Sequence, residues 1–107
     1  MFIETKTITV KEGTSDLVLE RFGGAGIVEK SEGFIDSSVL VKKVRRGDEQ
    51  VIVMTRWESE EVWKKWETSE EHIAGHRANR GKPKPDHVLN FEHGLYEVKA
   101  SKGPALK

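Results

Sequence analysis

Four consecutive apolar residues, Val51-Ile-Val-Met54, stand in the middle of a chain that is otherwise densely charged. Neighbouring side chains of a strand point to opposite faces, so a run of this kind calls for burial on both sides of its sheet. It falls far short of the ~20 apolar residues that a membrane-spanning helix needs. The chain must therefore cover one face of a sheet itself and find cover for the other. Its 107 residues suit one domain over 1–107. Such a domain has a radius of gyration of roughly 13 Å and buries about two thirds of its unfolded surface.

The flanking pattern predicts the other elements. Phe2 to Val10 reads as a strand, β-branched nearly throughout, with Phe2, Glu4, Lys6, Ile8 and Val10 on one face and Ile3 followed by threonines on the other. Thr14 or Ser15 can cap a helix whose apolar face is Leu17, Val18, Leu19 and Phe22, fraying near Gly23-Gly-Ala-Gly26. The pair Ile27-Val28 can pack before a turn at Gly33. Strands near Phe34–Val44 and Gln50–Trp57 follow, joined through Arg45-Arg-Gly-Asp-Glu49, with glycine for a left-handed position. Ser59 caps a second helical region, and Thr68-Ser-Glu-Glu71 forms a capping-box pattern that restarts a helix to about Asn79. Gly81-Lys-Pro-Lys-Pro85 is a loop. Val88 to Ala100 is a last strand, with a bulge expected beside Gly94, where the apolar residues change from odd to even positions. The order β-α-β-β-α-β is that of an α+β ferredoxin-like sandwich, with helices on one face of the sheet. The simplest cover for the other face is a second copy, which predicts a homodimer with its sheets face to face.

Composition narrows the partners. Eighteen basic and eighteen acidic side chains cancel to a formal net charge of zero, so no global field favours nucleic acid or an anionic membrane. Cysteine is absent, which removes disulfides, thiolate metal sites and cysteine nucleophiles together. Met1-Phe-Ile-Glu-Thr-Lys6 carries no long apolar stretch of the secretion type, and the expected location is the cytoplasm. The cancellation is not uniform. Residues 58–71 hold six glutamates against two lysines, whereas residues 77–84 hold Arg77, Arg80, Lys82 and Lys84 and no acid.

Between those two segments lie the residues best suited to chemistry. All three tryptophans fall within Trp57–Trp66; as large aromatics in a small domain, Trp57 and Trp63 read first as core. His72 and His76 are four apart, a helical spacing that can bind zinc, but the adjacent glutamate of the metalloprotease motif is missing and no third ligand is evident. His76 has Gly75 beside it, which could admit a flat ligand, and Ile73 one turn earlier as an apolar neighbour. The basic stretch after it reads either as a solvated loop or as the carboxylate-binding rim of a pocket. Lys6 interrupts an apolar row with Glu4, either as an edge-exposed Glu4–Lys6 pair or as the wall of a cavity. Gly23-Gly-Ala-Gly26 follows a helix rather than a strand and does not match a dinucleotide fingerprint.

Lys11-Glu-Gly13, Glu20-Arg-Phe22, Glu32-Gly-Phe34, Trp57-Glu-Ser59, Trp66 and Ala74-Gly-His76 resemble, in order and spacing, the IsdG family of haem-degrading monooxygenases. Val44-Arg-Arg-Gly-Asp-Glu49, Ile73-Ala-Gly-His76 and Gly81-Lys-Pro-Lys-Pro-Asp86 are similar to the HmoA type of that family from Gram-positive bacteria. The resemblance covers nearly the whole chain. It implies a dimeric α/β-barrel with an antibiotic-biosynthesis-monooxygenase-like domain, binding one haem per subunit between helices and sheet. It places the family's iron-ligand histidine on His76 and its pocket tryptophan on Trp66. Arg21 and Phe22 match its pocket-side helix residues. The family's distal asparagine falls on Lys6, a departure that leaves a cation to donate to iron-bound oxygen or to pair with a propionate.

The resemblance implies that haem is both substrate and prosthetic group. It also implies that O2 and electrons from an external donor, passed on by an unidentified reductase, open the porphyrin and free the iron. Neutral imidazole suits iron, and an indole pressed on the ring would distort it by about 1–5 kcal/mol. Two rivals share the fold: a cofactor-free monooxygenase of the antibiotic-biosynthesis type, and a haem-binding module that sequesters haem without turnover.

Overall fold

A computed structural model describes residues 1–104 apart from Ala25 and 80–84, and over 75–79 it describes the backbone alone. The elements are β1 (Phe2–Val10), α1 (Ser15–Phe22), a 3-10 turn at Val28–Lys30, β2 (Phe34–Val41), β3 (Glu49–Trp57), α2 (Glu60–Glu67), α3 (Glu70–Asn79) and β4 (Val88–Glu97). The sheet runs in the order β2-β3-β1-β4, and every neighbouring pair is antiparallel. This is the expected α+β ferredoxin-like arrangement, in which each helical connection joins strands separated by one other. The slab is 22 Å in its thinnest dimension, as one helix layer on one sheet requires.

Register decides which side chains meet. Phe2, Glu4, Lys6 and Ile8 of β1 stand opposite Trp57, Thr55, Val53 and Val51 of β3, and this row faces the helices. Ile8, Val10, Val18, Val51 and Val53 form the buried core, with Phe22, Val39 and Val88 packed against it. Each such side chain contributes roughly 1.5–3 kcal/mol when fully buried. A second cluster is aromatic. Trp57 is wholly buried and meets Phe34 edge-on at 5.6 Å, while the partly buried Trp63 lies on Phe2 at 5.1 Å. Both tryptophans are framework, as their size suggested. On the other face, Ile3, Ile52, Met54, Leu40 and Tyr96 share a surface with three threonines of β1, and no described element of the chain covers it.

Several local expectations are corrected. β1 is central, so Glu4 and Lys6 do not lie on an edge. The β1–β4 register runs unbroken past Gly94 and shifts between Thr9 and Val10. Gly94 instead makes room for Tyr96, whose ring a Cβ at that position would meet at 2.7 Å. Ser69, not Thr68, caps α3: its Oγ accepts the His72 N–H at 3.3 Å, and the Thr68 hydroxyl donates back to the Lys64 carbonyl at 2.9 Å. At α1 the Thr14 hydroxyl donates to the Lys11 carbonyl, and the cap comes from β3, where a Glu49 carboxylate oxygen accepts the Ser15 N–H at 3.0 Å. β2 stops at Val41 and β4 at Glu97, short of the expected Val44 and Ala100.

Candidate functional site

α1 lies over β3 and β2, which leaves a gap on the same sheet face between the buried Ile8 of β1 and the exposed Phe91 of β4. A cavity of about 400 Å³ fills that gap, within the usual range for a small-ligand site. Ile8, Val18, Phe22, Val88 and Phe91 supply its apolar wall, and Lys6 and Arg21 its cations. Phe91 is 51% exposed although it points to the helix side, so the trough is unsealed along β4. The Lys6 Nζ stands 5.7 Å from the Phe22 ring centroid, and the Arg21 Cζ stands 5.1 Å from it. Two cations over one ring, at the edge of an apolar trough, suit a flat and largely apolar ligand that carries carboxylates.

Next to Lys6 on the same sheet face lies a pair that no local pattern announces. Glu4 is 7% exposed, and its Oε2 accepts the Nε2–H of His93 at 2.7 Å. Neither residue belongs to a motif; only the pairing of β1 with β4 brings them together. The signal in the sequence was the acid in an apolar row, which required a partner from elsewhere.

The structure thus gathers Lys6, Arg21 and Phe22 at one cavity, and it does not bring Trp66 there. Trp66 lines a second cavity of about 410 Å³ with Ile27, Lys30, Val62 and Lys65. Its indole stacks at a tilt on His72, 5.0 Å between centroids, and the His72 Nε2 lies 3.2 Å from a Glu67 oxygen. Ile73 is 37% exposed on α3. The backbone of His76 lies on α3, while its side chain and most of the basic stretch 77–84 lie outside the described residues. Among the described residues, no cluster of three or more metal-ligating side chains occurs. On the outer sheet face, Arg56 grips Asp36 with two nitrogens, Nε at 2.7 Å from Oδ1. That hydrogen bond holds the Asp36 carboxyl below its ordinary range.

The sheet order, the helix layer and a carboxylate-compatible trough between them define a ligand-binding α+β protein of the ferredoxin-like class. The family model for antibiotic biosynthesis monooxygenases matches residues 1–78, and the chain belongs to that family. It is 59% identical over 102 residues, 95% of this chain and 94% of the relative, to the haem-degrading monooxygenase HmoA of Bacillus subtilis. A haem-degrading monooxygenase of Halalkalibacterium halodurans is 33% identical over 97% of this chain and 87% of its own length. Among solved structures, a Bacillus cereus chain described as of the antibiotic biosynthesis monooxygenase type superposes with a TM-score of 0.87. It is 67% identical, with 99% of this chain and 98% of that one covered. A substituted MhuD with two manganese protoporphyrin IX molecules per active site gives a TM-score of 0.70 at 26% identity, covering 97% and 100%.

Proposed function

We propose that this chain is a haem-degrading monooxygenase that opens the porphyrin with O2 and electrons from an external donor and releases the iron. The observation that carries the reading is the trough between α1 and β4, apolar along Ile8, Val18, Phe22 and Phe91 and cationic at Lys6 and Arg21. Haem has the matching chemistry, a flat apolar macrocycle with two propionates. The identity to haem-degrading relatives along nearly the whole chain supports the same conclusion.

In this reading, Phe22 and the core residues behind it take the face of the macrocycle and exclude water from it. Lys6 and Arg21 meet its carboxylates or the oxygen side of the ring, and His76 supplies a neutral imidazole to the iron. Haem, when bound, supplies the site for O2; the chain supplies placement and distortion. For Trp66 to press on the ring, its indole has to leave the cavity that it shares with Lys30 and Lys65. The same reading takes 1–107 as one domain that works in the cytoplasm with a separate reductase. It also takes the chain as a homodimer, which the uncovered apolar residues of the outer sheet face support.

The test is a haem titration of the apoprotein followed by ascorbate in air. A Soret band that forms and then decays only with the protein present is expected. A band that forms and stays identifies a haem carrier, and no band at all identifies a cofactor-free oxygenase.

A further inference from the structure

Glu4 is the one buried charged side chain among the described residues. A carboxylate removed from water requires a partner of its own. Two groups are within reach on the same sheet face. Lys6 is two residues along β1, with its Cβ roughly 7 Å away. His93 belongs to β4, and its Cα stands directly opposite Lys6. The carboxylate is taken by His93, at 2.7 Å. Lys6 makes no ion pair among the described residues, and its ammonium instead lies toward Phe22 in the cavity wall.

We propose that His93 is a positioning residue which, by occupying Glu4, keeps the Lys6 ammonium unpaired and available in the trough to a carboxylate of the ligand. A Glu4–Lys6 pair would be the natural alternative, because both side chains are long, opposite in charge and on one face. It would neutralise the trough's inner cation and draw it away from Phe22. An imidazole at hydrogen-bond distance from Glu4 prevents this. One N–H takes the Oε2 oxygen of the carboxylate, and the ring is half-exposed, 42% accessible. Glu4 and His93 thereby decide whether the trough discriminates acidic from neutral ligands. The identity of the ligand rests on the proposed function, whereas the choice of partner by Glu4 is a property of the ligand-free chain.

The test begins without ligand. A crystal structure of His93→Leu is expected to show the Lys6 Nζ within salt-bridge distance of Glu4; Lys6 still over Phe22 overturns the proposal. Haem and haem dimethyl ester are then titrated into the same variants. His93→Leu is expected to weaken haem binding roughly tenfold and to leave the ester unchanged. His93→Gln, whose amide still donates to Glu4, is expected to match the wild type. Glu4→Gln combined with His93→Leu is expected to recover haem affinity, because no carboxylate remains to capture Lys6. Equal losses for haem and ester, or no recovery in the double variant, overturn the proposal by showing a merely structural effect. A wild-type chain without affinity for haem contradicts the proposed function, and the ligand-free structure of His93→Leu still decides this inference.

Discussion

The ammonium of Lys6 and the ring of Phe22 come from different elements, β1 and α1, and meet 5.7 Å apart at the wall of one apolar trough. Neither the strand nor the helix forms a site alone. α1 leaves β4 uncovered, and the space beneath its last turn is where an apolar surface and two cations coincide.

Removing the cation while keeping the stem's apolar bulk isolates its contribution. Lys6→Met is expected to weaken haem binding about tenfold, the scale of one charge-assisted hydrogen bond. The far-UV circular dichroism should not change. A Soret titration checks this, and unchanged affinity would remove Lys6 from the binding surface.

His76→Ala is expected to abolish the iron-ligand signature in the visible spectrum of the haem-loaded protein without unfolding it. A spectrum identical to the wild type assigns the ligand elsewhere.

The two kinds of tryptophan should separate cleanly in unfolding experiments. Trp57→Ala opens the middle of a buried aromatic contact and is expected to cost about 3–5 kcal/mol. Trp66→Ala, at the edge of a cavity, is expected to cost less than about 1.5 kcal/mol. Urea denaturation of both variants measures the difference, and equal losses would place Trp66 in the core.

The elements were legible because strand alternation and helix periodicity are local. The apolar run at Val51–Met54 announced a strand, whose Val51 and Val53 are buried against the helices while Ile52 and Met54 are only half-buried on the outer face, and Phe2–Val10 announced its neighbour. What stayed illegible depends on contacts between distant segments. Glu49 caps α1 from β3, so no residue near Thr14 could reveal it. The partner of Glu4 is 89 residues away and is fixed by register alone. Gly94 looked like a bulge because the apolar positions change there, but the change reflects Tyr96 folding over the glycine on the outer face. Of the expected site, Lys6, Arg21 and Phe22 do converge. Trp66 does not, because α2 turns it toward the segment around Lys30.

Two glycines with positive φ should respond unequally to alanine. Gly33 has a φ of +79°, and a Cβ there would lie 2.4 Å from Val62, whereas Gly47, at +93°, opens on empty space. Gly47→Ala is expected to cost about 1 kcal/mol in backbone strain. Gly33→Ala should cost clearly more, because the start of β2 must also move off α2. Thermal denaturation ranks the two, and the reverse order would contradict the packing described.

Asp36 gives the stability a small acid-side dependence. Its carboxyl is held below its ordinary range by the hydrogen bond from Arg56, so the folded state binds this proton more weakly than the unfolded chain. The contribution is present above the unfolded carboxylate value and is lost as pH falls through the folded one. The stability gap between wild type and Asp36→Asn should therefore be largest near neutral pH and close on acidification below the ordinary aspartate range. A gap independent of pH would show that the pair does not form in solution.

Turnover of haem is measured most directly as ferrous iron released from a stoichiometric haem complex. The complex is supplied with ascorbate in air, with catalase present to remove free peroxide and a ferrous chelator as reporter. Chelated iron is expected to rise as the Soret band falls, dependent on the folded protein and abolished in His76→Ala. A bound, stable Soret band with no iron released would contradict turnover.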